Sequence, residues 1–186
     1  MTTSTPHRRS RRPWLVCHDL QREYVVPGRP RFGASSGAVA STCNRFLQRA
    51  RASGWRVVHC HRAPSPDACF EGLFGAPIEG LQPRITEPLF LRQGLSAFSN
   101  PSFAAEMREA RDDDVYLIGF SLADTCLATS LGAVDAGVSI ILVEDALGVS
   151  GVTPLAAAQI TRALLRPLVR TVSSRGADGR ALELAR

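Results

Sequence analysis

Three side chains suited to nucleophilic chemistry follow three separate apolar segments of this chain. Asp19 and Arg92 each stand at the end of such a segment, and Cys126 follows the turn after Val115–Gly119. A thiol at the opening of a helix is a good nucleophile candidate, because unpaired N–H groups and the helix dipole favour its thiolate. The alternative is that Cys126 is a small buried residue, as free cysteines commonly are.

Short apolar segments alternate with helical patterns along the chain, which predicts the elements that hold these three residues. We predict strands at Trp14–His18, 56–61, 88–92, Val115–Gly119, 138–143 and 169–172, and helices at 35–53, 101–111, 124–136 and 154–165. Residues 62–86 are rich in proline and glycine, which predicts a long irregular segment of the kind that often forms pockets.

The strands are nearly all apolar, which is typical of a parallel sheet that is covered on both faces. The expected fold class is therefore α/β, a three-layer Rossmann-like fold with a six-stranded parallel sheet flanked by helices. Ligands of such sheets bind beyond the carboxyl ends of the strands. Asp19, Arg92 and Cys126 could therefore face a single crevice, where an acid, a cation and a thiol form a nucleophilic site.

Composition limits the possible partners and chemistry. The chain has 186 residues and a formal net charge of +5, and all 22 of its basic residues are arginine, which excludes chemistry on a lysine amine. We expect a basic, flexible tail over residues 1–12 and one domain over residues 13–186. The tail holds much of the positive charge, so the rest is close to neutral, which argues against nucleic-acid binding.

Cysteine usage and hydropathy indicate the compartment. The five cysteines form no CxxC pair, and no secretory signal or long apolar segment accompanies them. We expect reduced thiols, a cytoplasmic protein and no membrane span.

Four segments carry a family resemblance when they are taken together and in order. The first contains Asp19, Gln21, Glu23 and Tyr24; the second is Arg92 followed by Ser96-Ala97-Phe98; the third runs from Gly119 through Cys126 to Gly137; the fourth is Val143-Glu144-Asp145-Ala146. Over roughly residues 13–172, this pattern resembles the isochorismatase-like cysteine hydrolases.

The resemblance implies a Cys-Asp-Lys catalytic triad on a six-stranded parallel sheet, in a homodimer or homotetramer. Asp19 and Cys126 match two triad positions, and Arg92 stands where the family has lysine. Arginine keeps the positive charge but cannot lose its proton. The family also implies a cis peptide near Ser121-Leu122, with the backbone N–H groups of Ser121, Leu122 and Cys126 available to a substrate oxygen.

Several further residues are expected near the site. Tyr24, Phe98 and Phe120 are candidates for the walls of a substrate pocket, with ordinary core packing as the alternative. The family usually has an aliphatic residue at the position of His18, and strand alternation predicts that His18 points away from Asp19.

Two histidines could touch a ligand or a metal. His59 and His61 lie on the same side of the second strand, but no third ligand is evident nearby, so inward packing or substrate contact is expected instead. We expect no metal and no cofactor.

The expected function is cleavage of a C–N bond in a small amide, ureido or carbamoyl compound, through a thioester on Cys126. Asp19 would act as the base and Arg92 would stabilise the negative charges. The alternative is a catalytically silent family member that binds a metabolite or a partner protein, because arginine replaces the triad lysine. Cys126 argues against isochorismate hydrolysis itself, which resembles the cysteine-less branch of the family.

Overall fold

The computed structural model of the protein describes residues 12–64 and 71–176. The expected tail lies outside the described residues except for Arg12, and Cys69 lies outside them as well. No helix in the described ranges is both long enough and apolar enough to cross a lipid bilayer.

Six strands form one fully parallel sheet, which confirms the expected fold class. The strands are β1 (Trp14–His18), β2 (Arg56–Arg62), β3 (Leu89–Arg92), β4 (Val115–Gly119), β5 (Ile140–Leu147) and β6 (Arg170–Val172). Their order in the sheet is β3-β2-β1-β4-β5-β6. Strands β2 and β3 therefore extend the sheet on one side of β1, and strands β4, β5 and β6 extend it on the other side.

Within the described ranges, five α-helices connect and cover the strands: α1 (Ser36–Ala52), α2 (Glu71–Phe74), α3 (Pro101–Arg108), α4 (Leu127–Ala136) and α5 (Leu155–Leu165). Local sequence explains two of the helix ends. Asn100 begins α3 by accepting hydrogen bonds from the N–H groups of Ser102 and Phe103, and Pro101 needs no such partner. Gly137 ends α4 with a φ of 70°, which suits glycine.

The core lies on both faces of the sheet, because successive strand residues point to opposite sides. On one face, Val16 and Leu117 pack in a cluster that also contains Cys126, next to the helical residue Phe103. On the other face, Leu15 and Ile118 pack in a cluster that contains Phe46 and Leu47 of α1. Burial of each large apolar side chain contributes on the order of 1.5–3 kcal/mol.

The helix that was expected at 124–136 has a different beginning. A π-helix occupies Leu122–Cys126, and α4 starts only after it, at Leu127. A π-turn holds one more residue per hydrogen-bonded turn than an α-turn, so it shifts the residues that follow around the helix. Cys126 therefore closes this π-turn and immediately precedes α4 as its N-cap residue, and the helical segment begins two residues earlier than expected.

Candidate active site

The strand order brings two of the expected site residues to the same point. Asp19 follows β1 and the segment 120–126 follows β4, and these strands are neighbours at the place where the order of the sheet reverses. Such a switch point is where ligands bind in open α/β sheets. Arg92 ends β3, which is separated from β1 by β2, so its long side chain must cross β2 to reach the same place.

Asp19 and Arg92 form a buried ion pair. Nη2 of Arg92 donates to Oδ2 of Asp19, and Nη1 of Arg92 donates to the carbonyl oxygen of Gly94. The hydroxyl of Tyr24 also donates to Oδ2 of Asp19, at 3.4 Å. Oδ1 of Asp19 is buried and has no hydrogen-bond partner among residues 12–64 and 71–176. One carboxylate oxygen is therefore left for a group that residues 12–64 and 71–176 do not supply.

Burial decides the protonation of Asp19. It raises the pKa of this carboxyl from 3.8 to about 6, and the charge and hydrogen bond of Arg92 oppose the rise. A carboxylate in this range accepts protons near neutral pH more readily than an ordinary aspartate does.

Cys126 lies close enough to the ion pair to feel both charges, but its environment is apolar. Its side chain is fully buried in the cluster with Val16 and Leu117. Burial raises the pKa of the thiol well above 9.0, and Asp19 and Asp124 raise it further, while Arg92 lowers it. The expected stabilisation of a thiolate by a helix start is therefore wrong for this structure, because loss of solvent outweighs the nearby cation.

The three N–H groups that were expected to face a substrate oxygen already have protein acceptors. Ser121 donates to Oγ1 of Thr125 at 2.9 Å, Leu122 to the carbonyl of Gly148 at 2.8 Å, and Cys126 to the carbonyl of Ser121 at 2.9 Å. The N–H groups of Ala123 and Asp124 differ, because they lie in the first turn of the π-helix, where no preceding turn offers a carbonyl.

The cis peptide lies one residue earlier than expected, between Phe120 and Ser121. The preceding Gly119 has a φ of 123°, and a Cβ on it would lie 1.8 Å from the carbonyl oxygen of His18. Only glycine allows β4 to end in this way beside β1.

Thr125 has a role in this turn that its sequence context did not indicate. Its hydroxyl donates to the carbonyl of Phe120 at 3.0 Å and accepts the N–H of Ser121. It thereby holds the segment that joins β4 to the π-helix. The available signal was a hydroxyl residue directly before Cys126, but only the folded turn shows which atoms it reaches.

His18 does not point away from Asp19 as strand alternation predicted. Its Nδ1 lies 3.7 Å from Oδ2 of Asp19 and donates to the carbonyl of Phe120 at 2.9 Å, and its Nε2 accepts the hydroxyl of Thr129 at 3.1 Å. Asp19 has a φ of 45°, which interrupts the alternation directly after His18. Burial, and next the charge of Arg92, lower the pKa of His18 to about 3, so it is neutral.

The expected pocket aromatics separate into two groups. Tyr24 and Phe120 stack with ring centroids 4.8 Å apart, next to Asp19, and both are buried. Phe98 instead packs edge-on against Phe103 at 5.3 Å, in the cluster on the other face of the sheet. Tyr24 and Phe120 lie together in one cluster, and Phe98 packs in the other.

His59 and His61 have ring centroids 6.1 Å apart on β2. Nε2 of His59 donates to Glu87 at 3.0 Å. Among the described residues, no group of three or more His, Cys, Asp or Glu side chains is placed to hold a metal ion.

Comparison with known proteins shows the family of this chain. Residues 13–174 match the Isochorismatase domain. A parallel α/β sheet with a buried acid, arginine and thiol near its switch point agrees with that match, and the protein belongs to the isochorismatase family of hydrolases.

Individual relatives agree with this assignment. Maleamate amidohydrolase of Pseudomonas putida is 26% identical over 155 residues, which cover 74% of this chain and 73% of the relative. An isochorismatase family protein of Desulfovibrio vulgaris has a TM-score of 0.77 at 25% identity, with 95% of this chain and 100% of that chain covered. An isochorismatase-like hydrolase of Alkaliphilus metalliredigens has a TM-score of 0.81 at 13% identity, with 92% and 98% covered, and shows the fold alone.

Proposed function

We propose that this protein is a cysteine hydrolase that cleaves the C–N bond of a small amide, ureido or carbamoyl compound. The observation that carries the proposal is Oδ1 of Asp19, a buried carboxylate oxygen with no partner in the described part of the chain, beside a thiol that feels its charge. The relative from Pseudomonas putida is named for the hydrolysis of an amide, which supports this class of reaction.

The raised pKa of Cys126 requires a base at the moment of attack. Oδ1 of Asp19 takes the thiol proton, and the sulfur forms a bond to the carbonyl carbon of the substrate. Asp19 then returns this proton to the nitrogen, the C–N bond breaks, and ammonia or an amine leaves a thioester on Cys126. Water attacks the thioester while Asp19 takes one of its protons, and the released thiolate recovers a proton from Asp19.

The negative charge that develops in this scheme is stabilised by a side chain and by two backbone N–H groups. Arg92 offsets the negative charge that is shared by Asp19 and the sulfur. The first-turn N–H groups of Ala123 and Asp124 are the donors that we assign to the oxyanion, because those of Ser121, Leu122 and Cys126 are already engaged.

A second candidate function, binding without turnover, is supported by a different observation. Cys126 lies in the apolar cluster, while the hydroxyl of Thr125 occupies the hydrogen-bonding groups of Phe120 and Ser121. Arg92 is likewise held between Asp19 and Gly94. A silent family member that binds a metabolite or a partner protein at this site would keep this arrangement.

The test is ammonia release from a panel of small amides, ureido and carbamoyl compounds. We expect Cys126→Ser and Asp19→Asn each to lower kcat/KM by about 100-fold or more, since each removes a reacting group. Cys17→Ser is the matched control, because Cys17 is another fully buried cysteine, and it should leave the rate unchanged. The rate of the wild type should rise with pH through about 6, because Asp19 must be deprotonated to accept the proton.

Two results would contradict the hydrolase proposal. The first is a Cys126→Ser variant that is as active as the wild type. The second is binding of panel compounds without any release of ammonia, which would establish the silent alternative.

A further inference from the structure

One buried carbonyl, that of Phe120, accepts hydrogen bonds from the chain neighbours of both reacting residues. Nδ1 of His18, which directly precedes Asp19, donates to this carbonyl at 2.9 Å. The hydroxyl of Thr125, which directly precedes Cys126, donates to it at 3.0 Å. A carbonyl oxygen has two lone pairs, so both are in use. A single atom therefore connects the segment that carries the carboxylate to the segment that carries the thiol.

The ring of His18 is also held at its other nitrogen. The carbonyl of Phe120 can only accept, so Nδ1 carries the hydrogen and Nε2 of the neutral ring accepts the hydroxyl of Thr129 at 3.1 Å. The oxygen of that hydroxyl accepts in turn the N–H of Ala97 at 2.9 Å. All four of these residues are fully buried. The result is a chain of hydrogen bonds with one direction, from Ala97 to Phe120, which we call the His18 relay.

The His18 relay joins three parts of the site. Ala97 follows β3, the strand that ends with Arg92, while Thr129 lies in the first turn of α4 and His18 is the last residue of β1. Nδ1 of His18 lies 3.7 Å from Oδ2 of Asp19. An aliphatic side chain at position 18 could fill the same space, but it would break the relay at its centre. Two buried polar groups would then each lose a partner.

We infer that His18 is a positioning residue of the reaction, which sets the distance between the carboxylate of Asp19 and the thiol of Cys126 through the carbonyl of Phe120. Proton transfer requires these two groups within hydrogen-bond reach, and a misplacement of about 1 Å can lower a rate by about 100-fold. Without His18, the carbonyl keeps only the hydroxyl of Thr125, and the turn after β4 is no longer tied to β1. This inference rests on the proposed function for the roles of the two reacting groups, but their placement can be measured without turnover.

The test measures alkylation of Cys126 by iodoacetamide near neutral pH, with the labelled residue identified by mass spectrometry. The sulfur displaces iodide and Asp19 takes the thiol proton, so the rate reports on the placement of the carboxylate. We expect His18→Leu and Asp19→Asn each to slow this labelling by about tenfold or more. His18→Asn has nearly the shape of His18→Leu but carries an N–H donor as many bonds from the backbone as Nδ1. It should therefore recover most of the wild-type rate.

The matched control is His59→Leu, which also removes a fully buried histidine with a hydrogen-bond partner. That partner, Glu87, precedes β3 and lies at the opposite end of this strand from Arg92. We expect His59→Leu to lower the urea midpoint, as His18→Leu does, but to label Cys126 at the wild-type rate. A loss of stability alone would expose the buried thiol and speed its labelling, so slower labelling separates positioning from packing.

Five results would each overturn the inference. They are a wild type in which Cys126 is not labelled, an Asp19→Asn or His18→Leu variant that labels as fast as the wild type or faster, a His59→Leu variant that slows as much as His18→Leu, and a His18→Asn variant that stays as slow as His18→Leu. If the labelling rates are as expected but no compound of the panel releases ammonia, the hydrolase proposal fails and the positioning role of His18 stands.

Discussion

At the scale of single residues, the Asp19–Arg92 pair is the most consequential contact of the site. The exposed fractions of these two side chains are 0% and 1%, so the carboxylate depends on the guanidinium for compensation of its charge. Breaking a buried ion pair by removing one partner costs more than the pair contributes, because a charge then remains without water or a counterion. Substitutions of Arg92 can therefore test whether its positive charge is what the site requires.

We expect Arg92→Lys to keep or raise turnover, and Arg92→Met to remove most of it, if the cation acts through its charge. Arg92→Met should also lower the free energy of unfolding by about 3–5 kcal/mol, since Asp19 loses its partner. Steady-state kinetics and urea denaturation measure the two effects.

The control for this substitution is the double variant Asp19→Asn/Arg92→Met. It should recover stability relative to Arg92→Met alone, because no buried charge is left uncompensated. Wild-type activity in Arg92→Met would mean that the cation has no part in the reaction.

At the scale of elements, the π-helix at Leu122–Cys126 controls which groups the end of β4 places near Asp19. It places the thiol at the end of the turn and leaves the N–H groups of Ala123 and Asp124 in its first turn. The hydroxyl of Thr125 holds the start of this segment through Phe120 and Ser121. The side chain of Thr125 therefore contributes to the shape of the site without being one of the reacting groups.

Thr125→Val keeps the shape of the side chain but removes its hydrogen bonds. We expect the free energy of unfolding to fall by about 1–3 kcal/mol, because the buried N–H of Ser121 loses its acceptor. Thr125→Ser, which keeps the hydroxyl, should lose much less stability. Equal urea midpoints for the wild type and Thr125→Val would contradict the role that we assign to this hydroxyl.

At the scale of the whole molecule, the order of the strands makes the site possible. Because β4 pairs with β1, the ends of these two strands lie side by side. The long side chain of Arg92 reaches the same place from β3, which is two strands away from β1. Assembly into a homodimer or homotetramer stays a prediction from the family, and so does a cytoplasmic location.

The basic tail, residues 1–12, precedes the expected domain at residues 13–186. Residues 1–12 hold four arginines and no large apolar residue beyond Met1, so we expect little contribution to folding. Deleting them should leave the melting temperature within a few degrees of the full chain and leave hydrolysis intact. A large loss of turnover or of assembly, measured by light scattering, would assign the tail a role in the crevice or in a subunit contact.

The elements of the fold were largely determined by local sequence. Strands β1 and β4 begin and end where their apolar runs do, and α3 begins at Asn100-Pro101, because burial patterns and caps involve neighbours in the chain. Asp19, Arg92 and Cys126 could likewise be named from their spacing after three strands.

Tertiary structure alone decided how those residues meet. The positive φ of Asp19 placed His18 close to it, and the helical segment that carries Cys126 began with a π-turn and buried the thiol in an apolar cluster. Burial then raised the pKa values of Asp19 and Cys126, against the expectation from the nearby cation. Such effects depend on solvent exclusion and on contacts between strands distant in sequence, so local patterns in the sequence do not contain them.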